Sequence, residues 1–194
     1  INKQYYNSLM MSDIAIFDSG FFCILLRIFK GIKVKKFSGY LFLKKFLNLK
    51  FKKNTKFFCV DPSKTESEKN KKYLNSKNIV KIKSYVAPIY PTNNIIDKKL
   101  LKLIINFKPN YIIINLGGEK QEILGLYIKT NIKFKTSILC TGAAIAFLTK
   151  SQAPINDTVD KYYMGWLLRT IFNPREYFLR IFKSLFLIKY FLKK

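Results

Sequence analysis

The chain contains no histidine. This absence excludes Ser-His-Asp and Cys-His catalysis, histidine metal sites and acid–base work by an imidazole. Proton transfer would therefore fall mainly to carboxylates, which are also scarce, with 11 Asp and Glu against 36 Lys and Arg. Cys23, Cys59 and Cys140 lack metal-ligand spacing and lie in apolar runs, which indicates buried, reduced thiols in a cytosolic protein.

Arginine is rare too, although the formal net charge is +25. A charge of this size favours an anionic partner, and nucleic acid is the first to consider. The lysines are spread over the whole length, as a compositional bias would spread them. Three of the four arginines instead lie close together near the C-terminus: Arg169, Arg175 and Arg180. Because guanidinium groups suit bidentate phosphate contact, this cluster is more informative than the total charge.

Apolar, β-rich runs alternate with helix-period segments along most of the 194 residues. The alternation is typical of βαβ units and predicts an α/β fold with a mostly parallel sheet flanked by helices. The predicted strands are Asp13–Phe17, Lys56–Val60, Ile79–Val86, Tyr111–Leu116 and Ser137–Cys140. The predicted helices are Gly20–Phe29, Tyr40–Leu47, Thr65–Ser76, Asn94–Phe107 and Glu119–Thr130. A polar loop from residue 151 would separate this domain, residues 1–150, from a C-terminal appendage, residues 151–194.

Two of the predicted strands end in polar turns suited to a ligand. One strand is followed by Gly117 and Gly118, and another by Thr141 and Gly142. Ligands of doubly wound folds bind at the carboxyl ends of strands. The two adjacent glycines allow close approach of the backbone, and a helix beginning near Glu119 would offer N–H groups to an anion, so a phosphate-bearing ligand is predicted. A tight turn that serves only the fold fits the same residues.

Four carboxylates remain as candidates for chemistry after the others are matched to structural roles. Asp13 and Asp97 fit element boundaries, and most of the rest fit helix caps or first turns. The remaining four are Asp18, Asp61, Glu119 and Glu122. Because Ser19 and a glycine follow Asp18, we expect it on a strand-to-helix turn, where a helix N-cap and a catalytic base are both open interpretations.

The segment from Asn173 is predicted to be a basic amphipathic helix. Asn173, Pro174 and Glu176 supply an N-cap, a proline at the first helical position and a capping-box glutamate. The apolar run Leu185–Leu192 is interrupted by Lys189 and is shorter than the roughly 20 residues of a transmembrane span. Such a helix is typical of a membrane interface, and a terminal helix docked on the domain is the alternative.

Seven short motifs occur in an order that resembles a known family. They are Asp18-Ser-Gly20, Phe37-Ser-Gly39, Asn115-Leu-Gly-Gly-Glu-Lys-Gln-Glu122, Cys140-Thr-Gly-Ala-Ala-Ile-Ala-Phe147, Gln152-Ala-Pro154, Gly165-Trp-Leu-Leu-Arg169 and Asn173-Pro-Arg175. The series is similar to the WecG/TagA/CpsF glycosyltransferases (glycosyltransferase family 26). The resemblance implies a Rossmann-like fold and an activity that needs no metal and no cofactor. It also implies transfer of an N-acetylmannosamine-type or related sugar from a UDP-sugar to a polyprenyl-diphosphate-linked sugar, in bacterial cell-surface polysaccharide biosynthesis.

The resemblance further implies roles for individual residues. Asp18 matches a catalytic base that would deprotonate the acceptor hydroxyl. Arg169, Arg175 and Arg180 match a basic appendage that closes over the site at an anionic membrane surface and holds diphosphate oxygens. The implied location is peripheral, on the inner face of the cell membrane, with no nucleic-acid partner. The residues that match the donor-binding turns are Gly117, Gly118, Gln121, Glu122, Thr141 and Gly142.

Some segments depart from the family pattern. Members usually read Gly-x-Pro-Lys-Gln-Glu at residues 117–122, and usually have a glycine-rich turn where this chain has Val60-Asp-Pro-Ser63. They also carry a further βα unit upstream of the catalytic aspartate, whereas this sequence begins at Ile1, so we expect either a fragment or a reduced member. An inactive membrane-associated relative is one alternative. A basic nucleic-acid-binding protein is another, although aromatic residues packed among aliphatic ones do not form a stacking surface.

Overall fold

A computed structural model of the chain describes residues 2–91 and 94–151, together with 171, 188 and 191. The chain divides into two compact units. Ile1–Ala15 and Leu43–Ser151 form the first, and Ile16–Phe42 belong to the second with the C-terminal residues. Within the described ranges, no helix is both long enough and apolar enough to cross a membrane. The domain boundary that we placed after residue 150 stays a prediction.

The first unit is built around a parallel sheet of four strands. These are β1 (Lys56–Asp61), β2 (Lys81–Val86), β3 (Tyr111–Ile114) and β4 (Ser137–Cys140), in the order β2-β1-β3-β4. All neighbouring strands pair in parallel. The central strands β1 and β3 are buried along nearly their whole length, which explains why their sequences are apolar without alternation. The predicted α/β fold with a parallel sheet is confirmed.

Helices connect and flank the strands. In chain order they are α1 (Lys3–Met10), α2 (Gly20–Lys30), α3 (Gly39–Leu47), α4 (Lys64–Ser76), α5 (Lys98–Phe107), α6 (Lys120–Asn131) and α7 (Ala144–Leu148). Side-chain caps explain where two of them begin. Ser63 accepts a hydrogen bond of 3.2 Å from the Glu66 N–H at the start of α4, and Asp97 accepts one of 2.8 Å from the Leu100 N–H at the start of α5. The boundary role predicted for Asp97 is therefore confirmed.

Apolar side chains fill both faces of the sheet. Successive residues of β1 point to opposite faces, so that Phe58 and Val60 pack with α5 and α6 while Phe57 and Cys59 pack with α3, α4 and α7. Close packing also explains Gly125 in α6, where an added Cβ would lie only 2.8 Å from the Cys140 sulfur. The sheet therefore lies between two layers of helices, which pack against both of its faces up to the carboxyl ends of the strands.

The predicted strand Asp13–Phe17 is wrong, because these residues form no strand. Ile14 is 83% exposed, and the backbone carbonyl of Phe17 accepts a hydrogen bond of 3.0 Å from the Phe37 N–H, outside any ladder. Asp13 instead forms an ion pair of 2.8 Å with Lys129 of α6. A β-prone run becomes a strand only where a partner strand and a covering layer exist. The other four predicted strands and all five predicted helices are found, with boundary differences of a few residues.

Candidate functional site

The sheet has a topological switch point between β1 and β3. From β1 the chain crosses through α4 to β2 on one side, then returns through α5 to β3 on the other side of β1 and continues outward to β4. In open α/β sheets, ligands bind in the crevice outside the carboxyl ends of the strands at such a point. Polar residues stand at this edge: Asp61 ends β1, Asn115 follows β3, and Thr141 follows β4.

Asp61 is a fully buried carboxylate that links three elements. Its Oδ1 accepts hydrogen bonds of 2.8 Å from the side-chain amides of Asn70 in α4 and of Asn115. Burial raises the pKa of Asp61, while the polar side chains of Asn115, Asn70 and Ser67 oppose that rise. Its Oδ2, like Oδ1 of Asn115, has no hydrogen-bond partner among the described residues. Asp61 had remained among the four candidate carboxylates, but no pattern in the sequence pointed to its two amide donors.

We expect Asp61→Ala to lower the free energy of unfolding by about 2–4 kcal/mol, because it leaves two buried amide groups without their acceptor. Asp61→Asn keeps a carbonyl oxygen and removes the buried charge, so it should stay within about 1 kcal/mol of the parent chain. Urea unfolding of both variants measures the difference. Equal losses for the two would show that the shared hydrogen bonds contribute little.

The difference in the free energy of unfolding between the parent chain and Asp61→Asn also depends on pH. Since burial raises the pKa of Asp61 in the folded state, the Asp61 side chain contributes most to stability below its unfolded pKa of about 3.9. That contribution is lost as the pH rises through the folded value. The stability of the parent chain relative to Asp61→Asn should therefore fall as the pH rises through this window.

The turn between β3 and α6 offers open space at its glycines. A Cβ added at Gly117 or Gly118 would meet no atom within 4 Å, and neither residue has a positive φ, so the fold itself does not demand glycine at either position. Glu119, at the helix N-cap position, has a φ of 69°, which is unfavourable for a residue with a side chain. The expected helix start is confirmed, since α6 begins at Lys120.

Gln121 joins the two predicted ligand turns. Its Oε1 accepts a hydrogen bond of 2.6 Å from the Gly142 N–H, and its Nε2 donates one of 2.8 Å to Oε1 of Glu122. Gly142 has a φ of 59°, a left-handed conformation that favours glycine. The structure therefore brings the Gly117–Glu122 turn and the Thr141–Gly142 turn together. The side chain of Gln121 is buried between them, where it already has partners within the protein.

Two further polar atoms beside these turns are buried without a hydrogen-bond partner among the described residues: Oε2 of Glu122 and Oγ1 of Thr141. Buried polar atoms of this kind are uncommon and need a partner. Burial also raises the pKa of Glu122, with the charge of Glu119 adding to the effect. Carboxylate oxygens accept hydrogen bonds, and two glutamates at a helix N-terminus oppose an added anion. The Glu122 carboxylate therefore suits the hydroxyl or N–H donors of a ligand better than the phosphates of that ligand.

Asp18 lies in the second unit and is exposed. Its Oδ1 accepts a hydrogen bond of 3.1 Å from the N–H of Gly39, the first residue of α3. The N-cap of α2 is Ser19, whose hydroxyl accepts from the Phe22 N–H at 3.2 Å, so the N-cap interpretation of Asp18 does not hold for α2. The motifs Asp18-Ser-Gly20 and Phe37-Ser-Gly39 are in direct contact, although no strand carries Asp18 as predicted.

Three of the predicted site residues are arginines near the C-terminus. Arg169, Arg175 and Arg180 are outside the described residues.

A cavity of about 460 Å³ is lined by Leu47–Phe51 and Ser76–Asn78. These segments precede β1 and β2, so the cavity lies at the amino ends of the strands, opposite the candidate site. It contains none of the predicted site residues, and the carboxyl edge remains the candidate site.

The chain was compared with models of known protein families. A model of the glycosyl transferase WecG/TagA/CpsF family matches residues 1–194, a range that includes every motif described above. A comparison with curated proteins gave no match.

Proposed function

Because the chain belongs to the WecG/TagA/CpsF family, glycosyltransferase family 26, we propose that it transfers an N-acetylmannosamine-type or related sugar from a UDP-sugar to a polyprenyl-diphosphate-linked acceptor. Membership makes the protein a glycosyltransferase of cell-surface polysaccharide synthesis. The identities of donor and acceptor are the proposal. So are its metal-independent chemistry and its place on the inner face of the cell membrane.

One observation supports the donor assignment above all. The Gln121 side chain joins the two turns that match the family's donor site, at the sheet edge where ligands of this fold bind. Space lies open before Gly117 and Gly118, and acceptor atoms of Glu122 and Asn115 lack partners among the described residues. Hydroxyl groups of a sugar or ribose, and N–H groups of an acetamide or a uracil, would supply the missing donors.

We propose Asp18 as the general base. Its carboxylate takes the proton from the acceptor hydroxyl, whose oxygen forms a bond to the anomeric carbon of the donor sugar. The bond from that carbon to the diphosphate breaks, and UDP leaves with the electron pair. Asp18 is suited to this role because it is exposed and one oxygen is held in place by the Gly39 N–H.

We propose that Arg169, Arg175 and Arg180 hold diphosphate oxygens. Guanidinium groups neutralise phosphate charge through paired N–H donors, so this binding needs no metal ion. Their own charge is permanent at physiological pH, which suits a role that does not involve proton transfer.

The test of the function is a transfer assay. Purified protein, UDP-N-acetylmannosamine and a polyprenyl-diphosphate-linked sugar are combined, and UDP release is measured with and without the acceptor. Acceptor-dependent release of UDP with a lengthened lipid-linked product supports the proposal. UDP binding without any transfer would instead support the catalytically inactive relative.

We expect Gly118→Val to weaken UDP binding at least about tenfold, roughly 1.4 kcal/mol, because its side chain would occupy the space through which a ligand approaches the backbone. Stability should change little, since the added Cβ meets no protein atom within 4 Å. Isothermal titration calorimetry measures the affinity, with Gly118→Ala as the smaller step on the same position. Unchanged UDP affinity in the valine variant would remove this turn from the donor site.

A further inference from the structure

The exposed side of α2 carries large aliphatic side chains beside its basic residues. Ile24 and Ile28 lie one turn apart and are 44% and 67% exposed, and Ile32, just beyond the C-cap Gly31, is 51% exposed. A helix on a protein surface normally presents charged and polar residues to water. Single exposed apolar residues are ordinary, but two aliphatic side chains one turn apart on the exposed side of a helix, with a third just beyond its end, indicate a contact.

The aromatic residues of α2 are already partnered on another side of the helix. The rings of Phe22 and Phe29 lie with their centroids 5.7 Å and 6.1 Å from that of Phe191. Cys23 and Leu25 are buried. These contacts fix which side of α2 faces its own unit, and the isoleucines remain on the outside.

Charge indicates what chemistry this face would meet. The segment from Ser19 to Phe42 has no Asp or Glu. Its basic residues are Arg27, Lys30, Lys33, Lys35 and Lys36, and the first four are exposed. Aliphatic side chains among basic ones match an anionic lipid surface, because insertion and electrostatic attraction then act together. Nucleic acid is a poorer match, because exposed isoleucines offer no stacking surface for bases.

We propose that α2 is a membrane-contacting element that lies in the interface of an anionic bilayer through Ile24, Ile28 and Ile32. This inference rests on the proposed function, because a contact with the membrane would bring the protein to its lipid-linked acceptor. Asp18 immediately precedes Ser19, the N-cap of α2. The helix of 11 residues is about 16 Å long, so a helix lying in the interface holds the proposed base within that distance of the lipid headgroups.

The first test is vesicle binding by the full chain without any substrate. Ile24→Gln combined with Ile28→Gln is expected to lower partitioning into phosphatidylcholine–phosphatidylglycerol vesicles about thirtyfold, because two inserted side chains are lost. The matched control is Ile14→Gln combined with Ile89→Gln, which replaces two isoleucines that are more exposed than those of α2. The control variant should bind as the parent chain does. Equal loss in both variants, or no loss in either, overturns the proposal.

A second test remains decisive if the double variant fails to fold. The chain has one tryptophan, Trp166, so Ile28→Trp in a Trp166→Phe background places a single reporter on the face. Its fluorescence should shift to the blue on addition of anionic vesicles and be quenched by brominated lipid. The control is Ile89→Trp in the same background, which should show neither effect. Absence of both effects at position 28 overturns the proposal.

Two further measurements separate this inference from other outcomes. UDP affinity by calorimetry on the same samples reports on the proposed function, and no vesicle result depends on it. Binding to a single-stranded oligonucleotide is measured in parallel. If Ile24→Gln combined with Ile28→Gln weakens oligonucleotide binding and leaves vesicle binding unchanged, the face serves nucleic acid and the membrane assignment is wrong.

Discussion

Asp18→Asn is expected to lower the rate of glycosyl transfer by at least about a hundredfold, the usual scale for loss of a general base. Folding and UDP affinity should remain close to those of the parent chain. The reason is geometric, because the asparagine side chain keeps an oxygen that can accept the 3.1 Å hydrogen bond from the Gly39 N–H. What the amide lacks is the ability to take a proton. Turnover under saturating substrate, thermal unfolding and calorimetry measure the three quantities.

Two controls sharpen that experiment. Asp18→Ala removes the hydrogen-bond acceptor as well as the base, so it should lose stability in addition to activity. Asp13→Asn changes the charge of another aspartate, five residues away in the sequence, whose partner is Lys129. It should retain turnover. If Asp18→Asn turns over at the parent rate, or if Asp13→Asn loses as much activity, Asp18 is not the base.

Replacing Arg175 and Arg180 together with alanine is expected to lower transfer to a polyprenyl-diphosphate acceptor by about a thousandfold. Each charge-assisted hydrogen bond to a diphosphate oxygen contributes about 1.5–3 kcal/mol, so two of them account for a loss of this size. Binding to anionic vesicles should fall much less. The lysines at positions 183, 189, 193 and 194 and the apolar residues between them remain.

The matched control for the arginine pair is Lys193→Ala with Lys194→Ala, which removes the same net charge from the same segment. This control should weaken vesicle binding by a similar amount while leaving transfer in detergent near the parent level. Arg175→Lys with Arg180→Lys should recover part of the activity, since lysine keeps the charge and loses the fork of paired donors. Equal loss of transfer in the arginine and lysine double variants would reduce the role of the arginines to general charge.

Much of the sheet could be read directly from the sequence because local chemistry decides it. The run Tyr111-Ile-Ile-Ile is apolar at every position, which is typical of a parallel strand covered on both faces. Asp97, predicted at an element boundary, accepts a hydrogen bond from one of the first N–H groups of α5 and serves as its N-cap. The two glycine-containing turns follow from residues adjacent in the chain, and so does their place at the carboxyl edge of the strands.

Residues 13–17 show where local chemistry is insufficient. They have the same β-prone composition as real strands, yet whether they pair depends on a partner strand elsewhere in the fold. Gln121 is a second case. The sequence predicts it as a ligand contact and does not reveal that its side chain binds another turn of the protein. Its partner Gly142 is 21 residues away, and that contact exists because β3 and β4 are neighbours in the sheet.

The sequence by itself determined the four strands of the sheet, five of the helices, the family and the two turns, because the signals for them are local runs and short motifs. It did not indicate α1 or α7. Tertiary structure alone decided that Asp61 shares its Oδ1 between Asn70 and Asn115, which lie 9 and 54 residues away. It also decided that Asp18 is held by Gly39 rather than capping α2, and that isoleucines of α2 face outward beside basic residues. Such contacts depend on how elements pack, and packing brings together side chains that no local pattern relates.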